Sequence, residues 1–182
     1  MKTLTVRKGS TNGDFTPGWH TMTISKAKYG EYNDSKFIEV WFKGYSENFT
    51  LRVYAKTNDK NEEWAIGQLF RFADAGISDA LDGPDGETII KYDDSPEQLI
   101  GKHVNVYLYK DGKYSRALKQ VAPTVFENQI SSFTEADVEY WKSRAEKYYV
   151  DYVQSHQNGT TDSFTHTEAP RPTTTADAEL PF

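Results

Sequence analysis

The sequence predicts a mainly β protein built as a small five-stranded barrel, with one helix between the third and fourth strands. An appended helix and a polar tail follow the barrel. Two patterns carry this prediction. Apolar and polar residues alternate in short segments separated by turn-forming Gly, Asn and Asp clusters, as in half-buried strands. A helical spacing of apolar residues interrupts these segments after the third and returns late in the chain.

The first three strands are predicted between Gly18 and Lys56. In each of them nearly every second residue is apolar, and turn clusters around Asn33 and Gly44 separate the strands. Because side chains alternate between the two faces of a strand, the apolar set is expected to face the core. The residues predicted to face inward are His20, Met22, Ile24, Ile38, Val40, Phe42, Phe49, Leu51 and Val53.

A short amphipathic helix is predicted after the third strand. Leu69 and Phe72 follow Trp64 at a roughly helical spacing, with glycine ending the pattern. The next stretch, from Asp74 to Glu97, is rich in acids and has a hairpin-type turn signal at Gly83 to Gly86. We expect an irregular connection there.

The fourth and fifth strands are predicted as a hairpin. Val104, Val106 and Leu108 alternate with Asn and Tyr residues that are expected to face outward. The Asp111-Gly112 pair is a strong hairpin turn signal. The two strands should therefore be antiparallel neighbours.

A helix of about twenty residues is predicted after the barrel. Thr134 is its expected N-cap, and acids occupy its first turn. The residues that fall close to one stripe are Val138, Trp141, Ala145, Tyr148, Tyr149 and Tyr152. Beyond His156 the composition changes to Thr, Asn, Gly, Pro, Ser and acids, which is typical of disorder.

The predicted organisation has four parts: a flexible arm over 1–16, a barrel domain over 17–128, a helix over 133–155 and a disordered acidic tail over 156–182. Three strands, a helix and two further strands follow one another in the barrel domain. This order is that of the OB-fold, a small barrel that binds oligonucleotides or oligosaccharides.

Composition narrows the classes of function. The chain has no cysteine, which excludes disulfides and thiol catalysis, and a net charge of −6, which taken alone argues against a nucleic-acid ligand. No run approaches the ~18 apolar residues of a membrane span. No apolar leader follows Met1, so a cytoplasmic location is expected.

The outward face of the predicted strands combines aromatic rings with cations. Single-stranded nucleic acid needs this combination, because bases stack on flat rings and cations contact the phosphates. We therefore predict a nucleic-acid interface despite the net charge, since distribution matters more than the total. The predicted interface residues are Lys28, Tyr29, Trp41, Lys43, Arg52, Tyr54, Lys56, Tyr107, Tyr109 and Arg116.

Two other interpretations of these aromatic residues remain open. Tyr and Trp are good strand residues that often pack across strands, and the appended helix could cover part of this face. A sugar-binding module would also expose Trp and Tyr. It would not need the interleaved cations, and it would usually be secreted.

Signals for catalysis, a metal or a cofactor are weak in this sequence. The four histidines are scattered, and neither a zinc-protease motif nor a nucleophile elbow is present. Asp93 and Asp94 are paired acids in a stretch expected to be a solvated loop, although a metal-dependent nuclease would need such acids. We expect a protein that is not an enzyme and that uses neither a cofactor nor a metal.

The chain ends in an acidic segment followed by an apolar tripeptide. Such a segment is suited to docking, because the acids can meet a basic rim while an aromatic ring fills a pocket. The residues predicted to bind a partner protein are Asp177, Glu179, Leu180, Pro181 and Phe182. The same acids could also lie over the basic strands and compete with phosphates.

The sequence resembles a known family at both of these places. The ending "AELPF" resembles the C-terminal docking peptide of bacterial-type single-stranded DNA-binding proteins, although its acids are sparser and Leu180 stands where Ile is common. The segments "GWHTMTISKAKYGEYNDSKFIEVWF" and "LIGKHVNVYLYKDGKY" are similar to small bacteriophage OB-fold single-stranded DNA-binding proteins. The appended helix is not part of their minimal fold, and it could pack on its own barrel or mediate a dimer.

This resemblance implies a protein that coats single-stranded DNA with little sequence preference during phage DNA replication, recombination or repair in the host cytoplasm. It also implies that the tail recruits replication or recombination proteins. Two alternatives remain at this point: a β-barrel interaction or virion protein that binds no nucleic acid, and an acid-dependent nuclease.

Overall fold

The computed structural model describes residues 2–4 and 13–158. Its strands and helices are β1 (Gly18–Tyr32), β2 (Ser35–Phe42), β3 (Thr50–Tyr54), α1 (Ala65–Phe72), β4 (Ile77–Asp82), β5 (Thr88–Tyr92), β6 (His103–Asp111), β7 (Tyr114–Ala117), β8 (Phe126–Glu127), β9 (Ser132–Phe133) and α2 (Glu135–Tyr148). After α2 the chain stays helical through the π-helical segment Tyr149–Gln154 and a last turn, Ser155–Asn158. We call residues 135–158 together the C-terminal helix. Most of the predicted arm and the tail from residue 159 onward lie outside the described residues.

The main sheet is antiparallel and has five strands in the order β3-β2-β1-β6-β7. Its long central strand, β1, pairs with two partners in succession. β1 pairs with β6 as far as Thr23 and with β2 from Ile24 onward, and the β1–β2 ladder has an irregularity between Ile24 and Lys26. A bulge of this kind bends a strand and increases its twist. The bulge therefore bends β1 near the point where the strand changes its partner from β6 to β2.

The prediction of a closed barrel is wrong. Within the described residues, β3 and β7 form the two free edges of the sheet and share no ladder. The chain after β7 stays along β6 instead of crossing to β3, since Leu118 N donates to Tyr107 O and Ala122 pairs with Asn105. An open seam remains between β3 and residues 119–121, with side chains of α1 and α2 beside it.

The predicted inward face is confirmed for most of its residues. The residues of the first three strands that are predicted to face inward are all buried except His20, which is partly buried. Val104, Val106 and Leu108 of the predicted hairpin are buried as well. Phe15, which falls in the predicted arm, packs edge-on against Tyr45 and Phe49, with ring centroids 5.2 and 5.1 Å away. The core thus extends to Phe15, two residues before the proline that precedes β1.

The helix predicted after the third strand is confirmed as α1. It buries Ile66, Leu69, Phe70 and Phe72 against the sheet. The acidic stretch that follows is less irregular than predicted, because β4 and β5 form a separate two-stranded hairpin. Its turn over Pro84–Gly86 lies at the predicted signal.

The C-terminal helix begins as predicted. Thr134 is the N-cap: its hydroxyl accepts from Asp137 N, and the Asp137 carboxylate accepts in turn from Thr134 N, which completes a capping box. Val138, Trp141 and Ala145 of the predicted stripe are buried. No helix of the described residues is long and apolar enough to cross a membrane.

Candidate nucleic-acid interface

The outward side chains of β1, β2 and β3 form one continuous surface, which we call the strand face. Cross-strand register arranges it in three rows: Lys26–Trp41–Thr50, Lys28–Glu39–Arg52 and Gly30–Phe37–Tyr54. Directly opposed residues on one side of a sheet have their side chains in contact range. The structure therefore brings together four of the predicted interface residues, namely Lys28, Trp41, Arg52 and Tyr54. Exposed Lys43 follows β2, two residues beyond Trp41.

Trp41 is the fixed aromatic residue of the strand face. Its indole Nε1 donates to the carbonyl of Glu47 at 3.1 Å, and its ring is half-buried. The ammonium of Lys26 lies 4.6 Å from the ring centroid. Such a contact is electrostatically favourable, because the face of an aromatic ring is negative. Trp41 thus presents a ring of set orientation next to an exposed cation.

Phe37 fills the next position of the strand face but is nearly covered. It is 7% exposed, and the guanidinium of Arg52 lies 4.5 Å from its centroid. Gly30 is required beneath it, because a Cβ at this position would come within 2.4 Å of Phe37 Cζ. The ring of Tyr54 is 5.3 Å away and remains half-exposed. Phe37 therefore supports Arg52 and Tyr54 from below.

The cations of the strand face differ in how they are partnered. Arg52 Nε forms an ion pair with Glu39 at 3.1 Å, and this hydrogen bond raises the pKa of Arg52. Lys28 and Lys43 are exposed, and within the part of the chain that the structure describes neither forms an ion pair. The lysines are thus available to phosphates, while Arg52 would have to share its charge with Glu39.

Tyr107, Tyr109 and Arg116 lie on another part of the sheet. The rings of Tyr107 and Tyr109 each have their centroid 5.2 Å from that of Tyr149 in the C-terminal helix. Burial is the main reason why the pKa of both tyrosines is raised. Arg116 pairs with Asp111 at 2.5 Å. The C-terminal helix therefore covers the two predicted stacking rings of β6.

A hydrogen bond holds the C-terminal helix over the part of the sheet formed by β1 and β6. Trp19 Nε1 donates to Glu146 Oε1 at 2.6 Å, and Lys142 Nζ lies 5.7 Å from the Trp19 ring centroid. Trp19 is the direct partner of Tyr107 in the β1–β6 ladder. One side of Trp19 thus faces the helix and the other faces the tyrosine.

Tyr29 is separated from the strand face. It is the ladder partner of Ile38, whose side chain is in the core, so Tyr29 points to the side opposite Lys28. Its hydroxyl donates to the carbonyl of Asp94 at 2.8 Å. Burial, with the neighbouring Asp94 carboxylate, raises its pKa. The acid-rich stretch thus contacts β1 on the side away from the strand face, which separates acids from lysines.

Lys56 lies at the seam. Its ammonium is 5.6 Å from the ring centroid of Trp64, the residue before α1. Both residues line an opening of about 230 Å³ between β3, the segment after β7 and the two helices, which we call the seam cleft. Tyr54 also lines it, so the seam cleft and the strand face share a residue.

Sequence reasoning missed several of the residues that line the seam cleft. The sequence pattern assigns Trp64 only to an amphipathic helix, and it assigns Trp141 and Tyr148 only to a packing stripe. Trp141, Arg144 and Tyr148 are spaced i, i+3 and i+7, which places them on one helix face. This spacing with an interleaved arginine was the available signal. The predicted partner-binding residues, from Asp177 to Phe182, lie outside the described residues.

No protein-family model matches the chain, and no curated protein shows significant similarity to it.

Proposed function

We propose that this protein binds single-stranded DNA through the strand face, with little sequence preference. One observation carries the proposal. Two half-exposed rings on neighbouring strands, Trp41 and Tyr54, each have a lysine ammonium over them, Lys26 at 4.6 Å and Lys119 at 5.1 Å. Rings and cations thus alternate over a short distance on one surface, as stacking and phosphate contacts require together.

Binding would replace one set of ring contacts with another. A base that stacks on Trp41 takes the place of the Lys26 ammonium, and the flexible lysine stem lets that charge move to the adjacent phosphate. Stacking contributes about 1–3 kcal/mol per base and tolerates every base. Release of counterions by the lysines makes the affinity fall with salt. Low sequence preference follows from both contributions.

The strand order supports an OB-fold-like assignment. We propose that β1, β2, β3, β6 and β7 correspond to the five OB strands, with the β4–β5 hairpin inserted before the fourth. In that fold the face of the second and third strands binds oligonucleotides. Trp41, Arg52 and Tyr54 belong to the matching strands here.

The acidic tail would supply the second part of the function. We propose that Leu180, Pro181 and Phe182, with Asp177 and Glu179, recruit a replication or recombination protein to the coated strand. This part rests on the sequence and its resemblance, and it adds a docking role to a binding protein without a catalytic step.

The deciding experiment is a tryptophan-fluorescence titration of the full chain with an unlabelled thymine oligomer at several salt concentrations. Quenching with a steep salt dependence, and much weaker binding of a duplex, is expected. No quenching by either DNA would contradict the proposal and favour a protein-interaction role. Cleavage of a labelled oligomer that depends on added Mg²⁺ would favour the nuclease alternative.

A further inference from the structure

The seam cleft shares Tyr54 and Lys119 with the residues that carry the proposed function, but its other lining residues have no role in it. It lies where a closed barrel would have a ladder, between β3 and the segment that follows β7. Among the residues that line it are Tyr54, Lys56, Trp64, Gln68, Lys119 and Arg144. Because the edges of the sheet do not meet, the opening is a consequence of the fold and not of a local irregularity.

The chemistry of the lining is specific. Three rings of the cleft each lie near a cation that also lines it: Trp64 near Lys56 at 5.6 Å, Tyr54 near Lys119 at 5.1 Å and Trp141 near Arg144 at 5.7 Å. No acidic residue belongs to the described lining. The cleft is therefore suited to a ligand that is both planar and anionic.

The size of the cleft limits the ligand. Its volume of about 230 Å³ lies below the roughly 300–1,000 Å³ of sites for drug-sized molecules. A single ring system with its attached phosphate suits this volume better than a dinucleotide cofactor does. A nucleotide is the common ligand that joins one planar ring system to an anion.

Continuity with the strand face indicates where such a nucleotide would come from. Tyr54 belongs to both surfaces, and one row, that of Glu39 and Arg52, separates it from the row of Trp41. A strand that stacks on Trp41 and then on Tyr54 therefore reaches the mouth of the cleft. An acidic peptide without an aromatic residue would use the cations but would leave the planar rings without a matching group.

We propose that the seam cleft binds one nucleotide of the single strand, its base against Trp64 and its phosphate near Lys56, Lys119 and Arg144. This inference rests on the proposed function, since the strand face would deliver the nucleotide. It adds a site that includes the C-terminal helix, so the helix takes part in binding through Arg144 and Tyr148.

The four tryptophans allow the two surfaces to be observed separately. Trp41 reports on the strand face, Trp64 and Trp141 on the cleft, and Trp19 on the covered half of the sheet. Indole N–H resonances of the ¹⁵N-labelled full chain, assigned by single Trp→Phe variants, would be followed during titration with thymidine 5′-monophosphate and with a thymine oligomer. Shifts at Trp64 and Trp141 with both ligands, at Trp41 with the oligomer, and none at Trp19 are expected.

The outcomes separate the two proposals. Oligomer-induced shifts at Trp41 without any at Trp64 or Trp141 would overturn the cleft proposal and leave the strand face as the binding site. Shifts at the two cleft tryptophans alone would support the cleft and contradict the strand face. No shift at any tryptophan, with no oligomer binding, would contradict both. Tighter binding of a glutamate-rich peptide than of the oligomer, with the same cleft shifts, would assign the cleft to a peptide.

Two variants test the cleft without removing its rings. Gln68→Phe fills the opening and keeps every cation, so the nucleotide-induced shifts at Trp64 should disappear. Lys56→Gln should lower the salt slope of oligomer binding by about 0.7, the contribution of one phosphate contact on a single strand. Lys113→Gln is the matched control, because Lys113 lies 5.4 Å from the ring of Tyr114 at the distant β6–β7 turn. Unchanged shifts in the folded Gln68→Phe protein would overturn the proposal.

Discussion

The ammonium of Lys26 lies 4.6 Å from the centroid of the Trp41 ring, and the two residues are direct partners across the β1–β2 ladder. The indole is also held by its hydrogen bond to the carbonyl of Glu47. The ring therefore keeps its orientation when the lysine leaves. A base can take the place of the ammonium, and the ammonium can follow the phosphate, so the two side chains should act on binding as a pair.

Removal of the Trp41 ring should weaken binding of single-stranded DNA. Trp41→Ala is expected to cost about 1–3 kcal/mol, to a similar extent for oligomers of different sequence, because stacking does not depend on base identity. Fluorescence anisotropy with labelled thymine, adenine and cytosine oligomers at one salt concentration would measure the loss. Far-ultraviolet circular dichroism would confirm that the variant is folded.

Tyr114→Ala is the matched control for this experiment. Tyr114 is also a strand aromatic residue with a lysine nearby, and it is 59% exposed, but it lies at the turn between β6 and β7. Its loss should leave the affinity unchanged. Equal losses in Trp41→Ala and Tyr114→Ala would mean that exposed rings bind DNA nonspecifically and that the strand face has no special role.

The lysines of the strand face should determine the salt dependence. Each of Lys26→Gln and Lys28→Gln is expected to reduce the slope of log affinity against log salt by about 0.7, since each removes one phosphate contact. Titrations between low and high salt would measure the slope. Lys60→Gln is the control, because Lys60 pairs with Glu87 at 3.3 Å, away from the strand face. A slope that changes as much in the control would assign the effect to overall charge.

The sequence predicts the strands well but does not predict whether the sheet closes into a barrel. Alternation over Ile38, Val40 and Phe42 predicted the core side of β2 because the period of a strand is two. Closure depends on where the chain goes after β7, and this is decided by the long-range pairing of Asn105 with Ala122. No local pattern encodes such a pairing.

The β4–β5 hairpin was missed for a related physical reason. Its opposed residues Leu81 and Ile89 are 40% and 48% exposed, so apolar side chains stand on its outer side and the alternation is not regular. A two-stranded hairpin beside the main sheet buries little, and its sequence therefore carries a weak periodic signal.

For the interface residues too, the sequence predicts what depends on the strand period but not what depends on long-range packing. The alternation of side chains along each strand is enough to predict that one side of the sheet carries Trp41, Arg52 and Tyr54. The register between the strands adds that Glu39 lies between Lys28 and Arg52. The same alternation puts Tyr29 and Lys28, which are neighbours in β1, on opposite sides of the sheet, although both are among the predicted interface residues. Cover of this face by the appended helix is one of the alternatives that the sequence leaves open, but a helical stripe does not specify that Tyr149 would cover Tyr107 and Tyr109.

Tyr29 should matter for stability and not for binding. Tyr29→Phe removes the hydrogen bond from the hydroxyl to the carbonyl of Asp94, which contributes about 0.5–1.5 kcal/mol to the free energy of unfolding. Urea denaturation would measure this loss, and oligomer affinity should stay the same because Tyr29 lies away from the strand face. Weaker oligomer binding by this variant, at unchanged stability, would place Tyr29 in the interface.

Stability should fall in alkaline solution. The pKa values of Tyr29, Tyr92 and Tyr109 are raised in the folded protein, mainly because burial disfavours the phenolate. In the unfolded chain these phenols lose their protons near pH 10. The folded state then holds more protons than the unfolded state, so its stability is full below about pH 10 and is lost as the pH rises further.

Urea denaturation at a series of alkaline pH values would measure this loss. The free energy of unfolding should be nearly constant from about pH 7 to 9 and should decrease above about 10. Tyr29→Phe should show a smaller decrease, since it lacks one of the shifted phenols. A free energy of unfolding that rises above pH 10 would contradict the burial of these hydroxyls.

Truncation after Asn158 should strengthen oligomer binding at low salt. The removed segment carries four acids and one arginine, and these charges can compete with phosphates for the lysines of the strand face. Screening shortens the range of such competition to about 10 Å at 0.1 M salt, so the gain should shrink as salt rises. A full-length variant with Leu180→Ser and Phe182→Ser keeps every acid and should bind the oligomer as the intact chain does. If this variant also bound more tightly, the apolar residues and not the charges would be the competing group.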